Sequence, residues 1–268
     1  MLARPMTGIL GVVLSGMVVA CVPPAVRDED YRIVFEDHFD TFDTSVWSTH
    51  HPWHDPPPAS AVTVSDGILV LLSSRANGYA SPNVTTLGRR TGSQYPHYSN
   101  ATTFEEGYFE ARMRFTDSAH SRPAFWLLGA EWAQRWPDPA CPTLQGEVDI
   151  VEPLMLPTDE FHFAQHRNTS SPCGVPREGR GIKRQVGFEL SDWHTYAAKW
   201  ADGELCSYVD DVEIGCLPAF DAVEQPMYIV LSQEGECSPW REELCREPKP
   251  QQMVTEVDWV RVWQVTDR

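Results

Sequence analysis

Gly107-Tyr108-Phe109-Glu110-Ala111-Arg112-Met113-Arg114-Phe115 alternates apolar and polar side chains almost without a break. Successive side chains of a strand point to opposite faces. Phe109, Ala111, Met113 and Phe115 therefore share one face, and Tyr108, Glu110, Arg112 and Arg114 the other. Such a strand lays one face on a core and leaves its second face to solvent or to the floor of a polar cleft. Outward from it, strand-like segments recur at 31–39, 68–73, 104–115, 124–128, 147–152, 161–166, 193–200, 205–209, 212–217, 227–231 and 254–265. Breaks rich in Pro, Gly and Asn, such as 51–58 and 136–142, separate them. No long stretch keeps a 3.6-residue apolar period, and no internal repeat is visible. Many short strands punctuated by turn signals predict an all-β sandwich or barrel.

The segment Glu147-Val148-Asp149-Ile150-Val151-Glu152 carries the strongest chemical signal, with three carboxylates in six residues on a β-branched strand. In a regular strand Glu147 and Asp149 share a face and Glu152 points the other way. One extra residue between Asp149 and Glu152, a β-bulge, brings all three to one surface. An acidic solvated strand face is the alternative. Against it, like charges along one face repel, and nothing basic lies between Gln145 and Glu160 to offset them. Paired carboxylates on one face are what glycosidic cleavage needs, one ionised and one protonated.

With 268 residues and 42% apolar content the chain can bury a full core in one large β domain. Its 38 acidic against 21 basic residues give a net charge of -17, which argues against nucleic acid and makes a neutral polymer the easier ligand. Residues 1–20 combine Arg4, an apolar run from Gly8 to Ala20 and small residues at the end, the pattern of an export signal. About 13 apolar residues is short for a membrane span. Val18-Val19-Ala20-Cys21 resembles a bacterial lipobox, so export ends either in lipid on Cys21 and a membrane anchor or in free secretion. Residues 21–30 read as a tether and 31–268 as the exported domain, extracellular or at the cell surface. Beyond Cys21 the cysteines are even in number: Cys141, Cys173, Cys206, Cys216, Cys237 and Cys245 suit three disulfides in an oxidising compartment. Local spacing favours Cys206 with Cys216 and Cys237 with Cys245, which leaves Cys141 with Cys173. The spacings do not match zinc ligands. Asn83, Asn100 and Asn168 head Asn-x-Ser/Thr sequons.

Taken together these segments resemble glycoside hydrolase family 16, particularly its laminarinase-like members. Residues 146–152 look like that family's bulged E-x-D-x-x-E signature. Residues 35–47, 107–115, Pro123-Ala124-Phe125-Trp126-Leu127-Leu128-Gly129, 193–200 and 257–262 match other family segments in the same order. The resemblance covers roughly 31–265. It implies an antiparallel β-jelly-roll sandwich with a concave cleft, acting as a monomer in retaining endo-hydrolysis of a β-linked polysaccharide, with β-1,3-glucan as the first expectation. By position, Glu147 is the nucleophile, Glu152 the acid and then base, and Asp149 the neighbour that tunes both. Elementary chemistry gives the same division: Glu147 attacks ionised, and its charge makes Glu152 hold its proton until the glycosyl ester forms.

Sugar rings pair apolar faces with hydroxyl rims, so aromatic platforms beside polar groups are expected in the cleft. The resemblance puts Trp126 on a subsite wall, Trp136 just before the acidic strand and His166 on the strand after it, with Arg112 and Glu110 lining the floor. No cofactor is required. Family members often carry a structural calcium held partly by a Glu near the N-terminus and by the Asp matching Asp258. Here Asp37-His38-Phe39 replaces the hard oxygen ligand with a histidine. Two segments depart from laminarinases, an insertion at 138–145 and the loop 232–240. The alternatives are a hydrolase of galactan or another β-glucan, a transglycosylase, and a non-catalytic carbohydrate-binding protein.

Overall fold

The fold is described from a computed structural model. It covers residues 22–27, 30–49, 56–91, 97–99, 101–116, 118, 120–131, 146–153, 160–168, 177–189, 191–235, 246 and 248–265. In chain order the strands are β1 (Tyr31–Asp37), β2 (Val62–Ser65), β3 (Ile68–Ser74), β4 (Asn83–Thr85), β5 (Arg89–Thr91), β6 (His97–Ser99), β7 (Gly107–Phe115) and β8 (Arg122–Gly129). They continue with β9 (Gly146–Val151), β10 (Glu160–Asn168), β11 (Arg177–Gln185), β12 (His194–Ala201), β13 (Glu204–Val209), β14 (Val212–Pro218), β15 (Met227–Glu234) and β16 (Gln252–Val265). Eight strands form one sheet in the order β14-β13-β12-β7-β16-β3-β2, with β1 beside β16, and six form a second in the order β11-β10-β9-β8-β15-β4. The pairings within both sheets are antiparallel. This is the all-β sandwich that the strand pattern predicts, in the jelly-roll form that the family resemblance implies.

The core lies between the two sheets, where Phe109, Ala111 and Met113 of β7 meet Val148, Ile150, Phe161 and Phe163 of β9 and β10. These are the apolar members of the alternating strands. Tight reversals set the register: Asp66-Gly67, Asp202-Gly203 and Asp210-Asp211 each hold two residues at positive φ, the two-residue hairpin turn whose twist matches its strands. Across the last of these hairpins Cys206 and Cys216 sit in register and are joined as a disulfide. The other four cysteines, and Cys21, lie outside the described residues.

β7 lies in the eight-stranded sheet while the acidic strand β9 is in the six-stranded one. Glu110 and Arg112 point away from the core on the back of the sandwich, opposite the acidic strand, so they do not line its cleft. Alternation along one strand reports which side chains leave the core, but not from which of two sheets. Glu110 is buried there under Trp263, whose Nε1 donates to it at 2.8 Å, and burial raises its pKa to about 7. Arg112 is held 2.5 Å from Asp258 and stacks on Trp193. Asp258 is engaged by the Arg112 guanidinium, and His38 lies 2.9 Å from Glu36.

The segment expected as a tether is partly folded. Pro24–Val26 forms a short 3-10 turn, Val26 is buried against the cluster of Tyr31, Tyr108 and Trp263, and Lys199 donates to the Ala25 carbonyl at 3.2 Å. Asn83 heads a sequon but is buried in β4, where an attached glycan has no room.

Candidate active site

The bulge is present where the parity of the acidic run requires it. Trp126 on β8 is opposite Asp149, but its neighbour Phe125 is opposite Val151, so one step on β8 matches two on β9. Ile150 is the extra residue. Ile150 and Val151 both enter the core, and the chain leaves the bulge with Glu152 on the same outer surface as Glu147 and Asp149. The Glu152 N–H donates to the His162 carbonyl at 3.2 Å, which holds the segment against β10.

Register extends this surface into three transverse rows. Leu128, Glu147, His166 and Gly179 form the first row, and Trp126, Asp149, Ala164 and Gly181 the second. The third runs from Glu234 through Arg122 and Glu152 to His162 and Lys183. Arg122, Trp126, Glu147, Asp149, Glu152 and His166 from these rows line a cleft of about 420 Å³. In it His166 Nε2 lies 3.2 Å from Asp149 Oδ2, and one donor atom each from Glu147, Asp149 and His166 lies within 4.8 Å of the others. Gly179 is required by this ring, since a Cβ there would meet His166 Nδ1 at 2.5 Å. Trp126 is half-buried and its Nε1 donates to Ser232 Oγ at 3.2 Å, leaving the indole along the cleft wall. Arg122 reaches Glu234 at 2.7 Å and Glu152 at 3.7 Å.

Charge crowding decides the protonation of the row. The Glu152 pKa is raised to about 8: burial and then Asp149 push it up, Arg122 pulls it down, and Glu147 and Glu234 add smaller upward pushes. Desolvation and Asp149 thus outrank Glu147, whose charge the spacing alone makes the leading cause. Burial also lowers His162 to about 4, helped by Lys183 and His166, so its ring is neutral beside Glu152. A protonated carboxyl next to carboxylates on one open surface can give a proton to a leaving oxygen while a neighbour attacks. The second set of three close donor atoms among the described residues, Glu204, Cys206 and Cys216, has its two sulfurs bonded to each other. We assign no metal to either set.

The structure thus brings Glu147, Asp149, Glu152, Trp126 and His166 into one cleft and leaves Glu110 and Arg112 on the far side. Trp136 and the insertion 138–145 fall outside the described residues. Sequence reading missed Arg122, Ser232, Glu234, His162 and the two glycines of β11. Arg122 shares the parity of Ala124 and Trp126 and was legible. The Gly- and Pro-bearing run from 232 predicts a loop, whereas β15 continues to Glu234 and brings Ser232 and Glu234 into the sheet.

Comparison with known proteins gives a match of residues 64–261 to the family described as Glycosyl hydrolases family 16. A beta-porphyranase C of Zobellia galactanivorans is 31% identical over 214 residues, covering 67% of this chain and 57% of that protein. An endo-1,3-1,4-beta-glycanase of Rhizobium meliloti is 24% identical over 187 residues, 69% of this chain but 36% of its own length. The chain therefore spans between a third and three fifths of these relatives. Among solved structures, the catalytic domain of an endo-1,3-beta-glucanase (laminarinase) from Thermotoga petrophila superposes with a TM-score of 0.66 at 20% identity, covering 88% of this chain and 98% of that one.

Proposed function

Because this chain belongs to glycosyl hydrolase family 16 and is a glycoside hydrolase, we propose that it is a retaining endo-hydrolase of a β-1,3-linked glucan. The observation that carries the reading is the bulged carboxylate row, with a protonated Glu152 beside Asp149 and Glu147. Glu147 attacks the anomeric carbon as a carboxylate, and Glu152 gives its proton to the departing oxygen. The glycosyl ester removes the negative charge of Glu147. Glu152 then takes a proton from water, which breaks the ester and restores both groups. Asp149 and His166 hold each other beside Glu147 and keep its carboxylate oriented. Trp126 supplies the apolar wall for a sugar face. Carboxylates carry both the covalent and the proton steps, so the chemistry needs no cofactor.

The name of the 31% identical relative, a beta-porphyranase, favours galactan as the second reading. Reducing ends released from laminarin, mixed-linkage glucan, galactan and agarose by purified residues 22–268 separate the two. Release from laminarin supports the glucan reading, release from a galactan alone moves the substrate, and release from none sinks the hydrolase as stated. Added oligosaccharide acceptors in the same assay report transfer to sugar.

The enzyme acts as a monomer outside the cell, exported by residues 1–20, with Cys21 either lipidated or close to the free mature end. The Cys206–Cys216 disulfide supports an oxidising compartment. The mass of the native N-terminal peptide distinguishes lipid on Cys21 from simple signal removal.

A further inference from the structure

Glu152 stands in the middle of a row that crosses five adjacent strands. Glu234 on β15 lies directly opposite Arg122 on β8, and His162 on β10 lies directly opposite Lys183 on β11. Arg122 is the one cation within 4.0 Å of Glu152 among the described residues whose charge does not depend on pH in the working range. Its guanidinium is mostly enclosed, and so are its two carboxylate partners. The fork is shared: one nitrogen is 2.7 Å from Glu234, the other 3.7 Å from Glu152. Glu234 thus fixes where the guanidinium sits, and Ala124, small and of the same parity, leaves space above β8 for the Glu152 carboxyl.

We propose that Arg122 and Glu234 form a brace that positions the Glu152 carboxyl and balances its charge between the two halves of the reaction. This rests on the role of Glu152 given above. In the first half Glu152 must keep a proton, and the partial engagement of Arg122 by Glu234 prevents the guanidinium from stripping it. In the second half Glu152 is an anion about to take a proton from water, and the nearby guanidinium steadies it. The groups facing Glu152 are Glu234, Arg122, Glu147, Asp149, His162, His166 and, beyond His162, Lys183. Of these, Arg122 and Glu234 are the opposed pair with no other task in the reaction. Both are positioning residues.

The test is a carbon-13 titration of the Glu152 carboxyl in the intact exported chain, with the signal assigned by its absence in Glu152→Gln. An opposite charge within 4–6 Å lowers a carboxyl by ~1–3 pH units. Arg122→Gln should therefore move the midpoint up by about one pH unit, and Glu234→Gln should move it down, because a repelling charge is lost and the guanidinium is released towards Glu152. Arg122→Lys keeps the charge and should restore most of the wild-type midpoint. The alkaline limb of kcat should move in the same directions with KM little changed. Midpoints that stay put, or move together, overturn the brace. If Arg122→Gln does not fold, the sign for Glu234→Gln decides: downward supports the brace, unmoved or upward overturns it. Near-normal turnover in Glu152→Gln would instead remove the catalytic role of Glu152, while the titration still reads the brace.

Discussion

The two outer faces of the sandwich are built from the same kind of strand, but they treat charge in opposite ways. On the back of the eight-stranded sheet three outward carboxylates each have a guanidinium: Asp258 with Arg112 and Glu256 with Arg114, both at 2.5 Å, and Glu36 with Arg261 at 2.6 Å. On the six-stranded sheet four carboxylates, Glu147, Asp149, Glu152 and Glu234, line one cleft, and Arg122 is the one arginine among the described residues that line it, paired with Glu234 and near Glu152. Paired surface charges are cheap to keep and contribute little. Crowded carboxylates cost stability, and what they hold in exchange is a proton at neutral pH.

Exchanging side chains between these two settings should separate them sharply. Glu147→Ala should lower kcat by more than ~10^4-fold, as removal of a nucleophile does, with an unchanged near-ultraviolet spectrum; turnover within tenfold of wild type would take the attacking role away from Glu147. Glu152→Gln should cost ~10^2–10^4-fold and abolish the alkaline limb near pH 8.

The same substitution tests the cost of crowding. Glu152 titrates higher in the folded protein than the ordinary carboxylate value of 4.5, so the folded state binds this proton more tightly than the unfolded chain. Its contribution to stability is fully present below about pH 4.5 and is lost as pH rises through about 8. Glu152→Gln should therefore raise Tm relative to wild type at pH 9, by ~2–4 °C for each kcal/mol relieved, and much less at pH 5. Equal shifts at both pH values would show that charge is not the cause.

Gly179→Ala drives a methyl into the His166 ring. It should destabilise by ~1–3 kcal/mol in a denaturant titration and reduce kcat, since His166 loses its place against Asp149. Arg112→Ala on the back face should leave kcat within twofold and cost ~0–1 kcal/mol. A large loss of activity there would restore the cleft-floor placement that the topology withdraws.

Periodicity carried much of the fold. Alternation in 107–115 and the continuous apolar runs near 148 and 229 located strands to within a few residues, because those segments spend their side chains on the core. β11 escaped notice for the opposite reason. Its sequence, Arg-Glu-Gly-Arg-Gly-Ile-Lys-Arg-Gln, has one apolar residue, and its glycines are there to admit the rings of His162 and His166. That requirement belongs to the neighbouring strand and leaves no local pattern. The carboxylate row was legible because a parity fault can be counted in a sequence. The Arg122–Glu234 pair joins residues 112 positions apart and becomes visible only through strand register.

The most direct test of the central claim is to trap the glycosyl-enzyme. A 2-deoxy-2-fluoro aryl glycoside of the oligosaccharide released from whichever polysaccharide is cut should add one glycosyl mass to the protein. Fragmentation of the labelled peptide should place that mass on Glu147. A label on Glu152 or Asp149, or rapid cleavage with inversion at the anomeric carbon, would contradict the account.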